Sequence, residues 1–155
     1  INACSDYIKD FVVMLYETGA RYSELAELQH SNVDLHNRKL TFVDTKNGDD
    51  RTIPINERAL SILKRYRFGK TVFNIDYQKF YEHFCKARHS VELDYFHAHD
   101  LRACWCTNAI LSGMSLPEVS ALSGHKSWSM LRRYTRIKPE DLEEKVNKIV
   151  WIESK

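Results

Sequence analysis

Apolar residues recur three or four positions apart along most of the chain, a spacing typical of helices with one buried face. In the segment 5–19 they fall at 8, 11, 12 and 15, between Ser5, which suits a helix N-cap, and Gly19, which suits a helix end. The pattern therefore predicts a first helix of about three turns. A second, short helix is predicted over 22–30.

Two further helices are predicted in the middle of the chain. They run from Asn56 to about 66 and from Asp76 to about 88, and both opening residues are favoured N-caps. In the second of these helices the apolar spacing predicts that Phe80, Tyr81 and Phe84 lie in or beside the core.

The same signals continue toward the end of the chain. A helix is predicted over 101–111, with Gly113 just beyond its end. Ser115 and Glu118 then form a capping-box pattern for a helix that ends at Gly124.

Beyond this point the pattern predicts one more helix, which carries Tyr134. Pro139 breaks that helix, and the segment 140–152 is predicted to form a last amphipathic helix.

One segment has the alternation of strands. The run "RKLTFVDTKNGDDRTIPI" places two β-rich stretches around Asn47-Gly48, a dipeptide suited to a tight hairpin turn, and leaves Lys46 at the hairpin tip. The predicted fold class is α+β, mainly α-helical with one small antiparallel sheet.

Length and composition set the broad class of the protein. A chain of 155 residues suffices for one domain with a core. No apolar run approaches the roughly 18 residues of a membrane span, and no signal-peptide pattern opens the sequence. The chain begins without methionine, so we expect a fragment of a longer protein.

The four cysteines lack the spacing of a disulfide framework and fit reduced thiols in a cytosolic setting: Cys4, Cys85, Cys104 and Cys106.

Positive charge is concentrated in two stretches, although the net charge is only +2. Five Lys and Arg residues and no acid lie between Glu57 and Asp76, and the same holds between Glu118 and Glu140. Charge alone leaves two interpretations open, solvated helix faces or a surface for a polyanion such as DNA.

Several polar residues each have an ordinary surface explanation when taken singly, but together they form an ordered series. It consists of Arg21 in "TGARYSEL", Lys46 in "DTKNGDDRTIPI", His99 and Arg102 in "HDLR", His125 in "SGH", and Tyr134. Three positions separate His99 from Arg102, 23 more lead to His125 and nine more to Tyr134.

This series, over about residues 10 to 137, resembles the catalytic domain of the tyrosine recombinase (phage integrase) family. The resemblance implies that domain's fold, which is shared by DNA breaking and rejoining enzymes. It also implies that residues 1–155 are a catalytic domain whose N-terminal DNA-binding domain is absent from the chain. The sequence differs from the residues common in the family at four places, none of which is one of the six matched positions. These differences leave the subfamily open: Ala103, Cys104 to Cys106, Ser123 and Leu131.

The residue types suit phosphoryl transfer on DNA. The non-bridging oxygens of a phosphodiester gain negative charge in the transition state. Arginine stays positively charged and donates hydrogen bonds to these oxygens, which lowers the barrier. This is the role expected of Arg21 and Arg102. Tyr134 is the expected nucleophile, because nearby positive charge helps a phenol lose its proton and an aryl phosphate ester conserves the bond energy for rejoining.

The resemblance implies roles for the remaining positions. Lys46 is expected to protonate the leaving 5′-hydroxyl, His99 to help move the tyrosine's proton and His125 to donate a hydrogen bond to the scissile phosphate. Glu24 either orients the basic groups or is a plain surface acid.

Binding residues and other ligands complete the set of expectations. Lys126 and Arg132 are candidates for contact with the DNA backbone. A zinc site made of His97, His99, Cys104 and Cys106 is the less favoured alternative, because HxH and CxC at a helix start point their groups in different directions. We expect no metal, ATP or other cofactor.

The resulting functional hypothesis is a site-specific DNA recombinase or integrase that works through a 3′-phosphotyrosine intermediate. Two alternatives remain, a type IB topoisomerase-like enzyme and a DNA-binding relative without catalysis. The expected partners are double-stranded DNA, three further copies in a homotetramer formed by exchange of C-terminal tails, and accessory DNA-bending proteins, with no membrane. The expected location is the cytoplasm, at a bacterial or phage-infected nucleoid.

Overall fold

The computed structural model describes residues 1–43, 50–134, 140, 146 and 147, and within them the helices and hairpin strands form in the predicted order. The helix predicted over 140–152 lies almost entirely outside the described residues. The helices are α1 (Asp6–Thr18), α2 (Tyr22–Ala26), α3 (Glu57–Leu63), α4 (Tyr77–His89), α5 (Ala98–Leu111), α6 (Leu116–Ser123) and α7 (Trp128–Leu131). The strands are β1 (Val33–Asp34), β2 (Lys39–Phe42) and β3 (Arg51–Pro54), and two 3₁₀ turns span His30–Asn32 and Arg132–Tyr134.

Local capping explains where these helices begin and end. The side chain of Asn56 accepts a hydrogen bond from the backbone of Ala59, and Asp76 does the same for Lys79, so both predicted N-caps are confirmed. The capping box at the start of α6 also forms. Helix α5 begins three residues before the predicted start, because an additional turn opens at His97.

The sheet is antiparallel, with strand order β1-β2-β3. Leu40 pairs with Ile53 in the β2–β3 ladder, and both side chains are buried. Strand β1 was not predicted, since two residues carry no detectable alternation. Lys46, Asn47 and Gly48, for which a hairpin turn was predicted, lie outside the described residues.

The main core surrounds α1, which packs against α3, α4 and α5. Phe11 lies at its centre, with ring centroids 5.2 Å from Tyr22, 5.5 Å from Phe73 and 5.4 Å from Phe80. Edge-to-face pairs of this kind contribute about 0.5–1.5 kcal/mol each beyond their buried area. Because Tyr22 directly follows Arg21, this cluster fixes the start of α2.

Helix α4 shows one wrong prediction about burial. Phe80 and Phe84 are buried as predicted, whereas Tyr81 is 51% exposed. The buried face of α4 is completed by Ala87, so Tyr81 lies on the outer face with its ring stacked on Tyr77.

A second, smaller core joins α5, α6 and the turn that carries Tyr134. Its buried members are Cys106, Ala109, Ile110, Val119 and Leu131. The predicted helix around Tyr134 differs where the chain is described: α7 is one turn long, and Tyr134 lies in the 3₁₀ turn that follows it and packs partly against this core. The residues after Tyr134 in that predicted helix lie outside the described ranges.

The two cores meet where α1 ends against α5. Gly19 has a φ of +62°, and a Cβ atom there would lie 2.6 Å from Cε3 of Trp105. The Trp105 indole also donates a hydrogen bond to the Glu17 carbonyl at 3.1 Å. Glycine at 19 therefore serves both the left-handed turn and the close approach of α5.

Among the helices within the described ranges, none is both long enough and apolar enough to cross a bilayer.

Candidate active site

Arg102 lies at the centre of the candidate site. It is only 2% exposed, its Nη1 donates to the Gly19 carbonyl at 2.7 Å, and its Nη2 lies 3.2 and 3.3 Å from the two ring nitrogens of His125. Burial, reinforced by the positive charge of Arg21, lowers the pKa of Arg102 to about 10. The guanidinium therefore stays charged at neutral pH.

Arg21 approaches the same region from the start of α2. Its Nη1 donates to Glu24 at 2.6 Å and its Nη2 to the Gly124 carbonyl at 3.0 Å. The side chain is 42% exposed, so its guanidinium is held in place while part of it still faces solvent.

Both arginines are bound by carbonyls that end helices. Gly19 terminates α1 and Gly124 terminates α6, each with positive φ, and these carbonyls carry the partial negative charge of a helix C-terminus. The bond from Arg21 to the Gly124 carbonyl links the start of α2 to the end of α6. The bond from Arg102 to the Gly19 carbonyl links α5 to the end of α1.

Arg51 is a site residue that the sequence analysis did not identify. Its Nη1 and Nη2 bind the two carboxylate oxygens of Glu24 at 2.9 and 3.0 Å, and its guanidinium carbon lies 4.8 Å from the centre of the Phe42 ring. An arginine that opens a strand after a turn has no distinguishing sequence signal, because most such residues are exposed.

Glu24 therefore orients the basic groups, which was one of the two interpretations left open. Burial disfavours its charge, but hydrogen bonds and charges from Arg51 and Arg21 outweigh burial and hold the pKa of Glu24 below its ordinary value. Arg21 and Arg51 bind this carboxylate, and Arg102 interacts with it electrostatically. Three positive charges therefore accompany one negative charge, and the site retains positive charge suited to an anionic ligand.

Gly124 gives Arg51 the room it needs. A Cβ atom at residue 124 would overlap Nη1 of Arg51, and the φ of +71° is itself unfavourable for other residues. Gly124 thus allows α6 to end directly beside the Arg51–Glu24 pair.

His125 and Tyr134 complete the group of predicted residues that the structure brings together with the two arginines. The ring centroids of His125 and Tyr134 are 6.3 Å apart, at an interplanar angle of 61°. His125 is 9% exposed and Tyr134 is half-buried. Ser123 places its hydroxyl 2.7 Å from Nδ1 of His125, a contact that the sequence analysis did not identify.

The other predicted residues are placed less centrally. Lys46 lies outside the described residues. His99 is exposed in the first turn of α5, and no hydrogen bond or ion pair within the described ranges joins it to the two arginines, His125 or Tyr134. Lys126 and Arg132 are exposed, next to His125 and shortly before Tyr134.

The alternative zinc site has no geometric support where the chain is described. No three His, Cys, Asp or Glu side chains are arranged there to hold a metal ion. Cys106 lies fully buried in the smaller core, whereas His97 and His99 are exposed at the helix start.

Replacing Glu24 by glutamine should destabilise the protein by about 2 kcal/mol at neutral pH. The amide has no charge to attract the two arginines, and its NH₂ group cannot accept from Nη2 of Arg51 and the backbone N–H of Arg21 as Oε2 does. Since the folded-state pKa of Glu24 is depressed, its stabilisation is present above the unfolded pKa of about 4.3 and is lost as pH falls through the folded value. Urea unfolding at neutral and acidic pH measures this difference.

The matched control for this measurement is Glu27→Gln, which changes an exposed carboxylate at the end of the same helix. We expect a change within about 0.5 kcal/mol for it. Equal effects of the two substitutions would contradict an orienting role for Glu24.

The fold and the site together define the class of this protein, which is that of tyrosine recombinase catalytic domains. The sequence matches the phage integrase family model over residues 1–141, and the chain belongs to that family.

Three relatives show the extent of the similarity. The chain is 30% identical to the tyrosine recombinase XerA of Pyrococcus furiosus, over 96% of this chain and 57% of that protein. It is 29% identical to the shufflon-specific DNA recombinase of Escherichia coli, over 92% of this chain and 40% of that protein. Among solved structures it is similar to the catalytic domain of bacteriophage HP1 integrase, with a TM-score of 0.75, 26% identity, and coverage of 95% of this chain and 87% of that one. The chain thus spans about half the length of the full-length relatives.

Proposed function

We propose that this chain is the catalytic part of a site-specific DNA recombinase or integrase, which cleaves and rejoins DNA through a 3′-phosphotyrosine intermediate. The observation that carries the proposal is the packing of Arg21, Arg102 and His125 into one positively charged site with Tyr134 at its edge. Relatives named as DNA recombinase and tyrosine recombinase support it.

The proposed reaction is a transesterification at one DNA phosphate. Oη of Tyr134 forms a bond to phosphorus, the bond from phosphorus to the 5′ oxygen breaks, and the DNA strand remains attached through its 3′ phosphate. Arg21 and Arg102 stabilise the charge that develops on the non-bridging oxygens. The reverse attack by a 5′-hydroxyl, of the same or a partner strand, restores the DNA.

Two proton transfers balance this step. We assign the proton that leaves the tyrosine to His99 as acceptor, and the proton that the 5′ oxygen gains to Lys46 as donor. No metal or nucleotide takes part in the proposed reaction, because the energy of the broken phosphodiester is kept in the phosphotyrosine bond.

The partners follow from the same hypothesis. Lys126 and Arg132 are exposed beside the site and are proposed to contact the backbone of double-stranded DNA. Recombination requires several active subunits on two DNA duplexes, for which we propose a homotetramer joined by C-terminal tails, accompanied by DNA-bending proteins. The proposed location is the cytoplasm, at the nucleoid.

The two alternative functions have less support. The matched relatives are named recombinases and integrases, which favours strand exchange over topoisomerase-like relaxation. The presence of Arg21, Arg102, His125 and Tyr134 in one site favours catalysis over DNA binding alone.

The test is covalent trapping on nicked suicide duplexes, using the full gene product that contains residues 1–155. The duplexes are tiled from the DNA on both sides of its gene, because integrase genes often adjoin their own attachment sites. We expect an SDS-resistant protein–DNA adduct on one of the duplexes, at equal yield with and without EDTA. Peptide mapping should place the DNA on Tyr134.

The controls separate the alternatives. The absence of an adduct on every duplex would contradict the proposed function. Relaxation of supercoiled plasmids that lack the trapped sequence, by a monomer, would instead support the topoisomerase alternative. A yield that collapses in EDTA would show that a metal is needed.

A further inference from the structure

The hydroxyl of Ser123 is buried beneath His125 with two close polar neighbours. Ser123 is 0% exposed, and its Oγ lies 2.5 Å from the Val119 carbonyl oxygen and 2.7 Å from Nδ1 of His125. Serine at this position is also one of the places where the sequence differs from the residues common in the family. The contact is therefore a property of this chain's own sequence.

The number of available protons determines the direction of these hydrogen bonds. A serine hydroxyl has one proton to donate, and a carbonyl oxygen can only accept. At 2.5 Å two oxygens without a proton between them would repel each other, so the Ser123 proton lies on the side of the Val119 carbonyl. Nδ1 of His125 must then carry a hydrogen and donate it to Oγ of Ser123.

This assignment has a consequence for the opposite ring nitrogen. In a neutral imidazole only one nitrogen carries hydrogen, so Nε2 presents a lone pair. Nη2 of Arg102 is a donor that lies 3.2 Å from Nδ1 and 3.3 Å from Nε2. Because the hydrogen on Nδ1 is directed at Ser123, Nε2 is the ring nitrogen that can accept from Nη2.

We propose that Ser123 is a positioning residue that fixes the tautomer and ring orientation of His125, and through Nε2 the orientation of the Arg102 guanidinium. The role in cleavage rests on the proposed function, whereas the tautomer itself does not. With Nδ1 held by Ser123, Nε2 is the nitrogen left for the scissile phosphate, and it donates to that phosphate when the ring carries a second hydrogen. Fixing the hydrogen of a functional histidine by a hydrogen bond at its other nitrogen is a general means of setting that side chain's chemistry.

The chain supplies a matched control on the same helix. Ser120 is also buried, at 9% exposure, and its hydroxyl donates to the backbone carbonyl of His125 at 2.5 Å. Ser120→Ala therefore removes a buried hydrogen bond of the same segment without touching the imidazole ring.

The direct test is ¹⁵N NMR of the histidine ring in the DNA-free protein, with residue assignment by comparison with His125→Gln. Wild type should show a hydrogen-bearing Nδ1 and an unprotonated Nε2 for His125, and Ser120→Ala should retain this pattern. Ser123→Ala should convert it to a mixture of both tautomers. If Ser123→Ala does not fold, Ser123→Cys keeps the volume with a weaker acceptor and should give the same direction of change.

Activity is the second measurement. On the trapped duplex, Ser123→Ala should lower the single-turnover cleavage rate about tenfold relative to Ser120→Ala, and Ser123→Thr, which keeps the hydroxyl, should restore most of it. An unchanged ring pattern in the Ser123 variants, or an equal change in Ser120→Ala, would overturn the proposal. If wild type shows the ring pattern but never cleaves DNA, the proposed function fails while the tautomer assignment stands.

Discussion

Replacing Tyr134 by phenylalanine should abolish the covalent protein–DNA adduct and leave the fold intact. The adduct requires a bond between Oη and phosphorus, and phenylalanine lacks that oxygen. The ring itself packs partly against the smaller core and lies edge-on to His125, and phenylalanine preserves those apolar contacts. DNA affinity, which depends mostly on basic groups, should change little.

The measurement is adduct formation on the suicide duplex, with thermal unfolding and DNA binding measured on the same samples. Tyr95→Phe is the matched control, because it removes a phenol oxygen from a side chain that is 74% exposed. An adduct at wild-type yield in Tyr134→Phe would show that another residue is the nucleophile, and peptide mapping would identify it.

Replacing Arg102 by lysine should lower the single-turnover cleavage rate by roughly 10²- to 10³-fold, the range seen when one transition-state hydrogen-bond donor is removed. Lysine keeps the positive charge but cannot donate at the same time to the Gly19 carbonyl and toward His125 as the planar guanidinium does. A lysine in this buried position should also destabilise the fold by about 2 kcal/mol.

The control must separate the loss of folding from the loss of chemistry. Arg88 is partly buried in α4, and its Nη1 donates to the Phe96 carbonyl at 3.0 Å. Arg88→Lys therefore removes a comparable arginine-to-carbonyl bond that makes no contact with the candidate site, and it should cleave at nearly the wild-type rate. Cleavage by Arg102→Lys within threefold of wild type would show that this guanidinium is not needed in the transition state.

The sequence was sufficient to predict the parts of the fold that local chemistry determines. Gly19, Asn56, Asp76 and the Ser115–Glu118 pair act on backbone groups within four residues, so these particular helix ends could be predicted without knowing the tertiary structure. Helix periodicity alone was less reliable for Tyr81, because apolar spacing does not say which edge of the apolar face meets the core.

Some residues of the candidate site could also be predicted from the sequence, and others could not. The resemblance located Arg21, Arg102, His125 and Tyr134, which the fold brings together. Arg51 and Ser123 were not identified, because their importance comes from neighbours that are distant in sequence or from a single hydroxyl proton. Glu24 could be recognised as a candidate three residues after Arg21, but its second partner Arg51 is 27 positions away in the chain.

The two glycine carbonyls that hold Arg21 and Arg102 connect the stability of helix ends to the readiness of the site. Helix ends open more often than helix centres, and amide hydrogen exchange reports such local opening. Here each guanidinium has one bond to the last turn of a helix, so opening either end would remove one of the bonds that hold an arginine while the rest of the domain stays folded. The exchange rates of the amides near Gly19 and Gly124 would therefore measure how often the site is assembled, and an anion that bridges both arginines would slow exchange at both helix ends together.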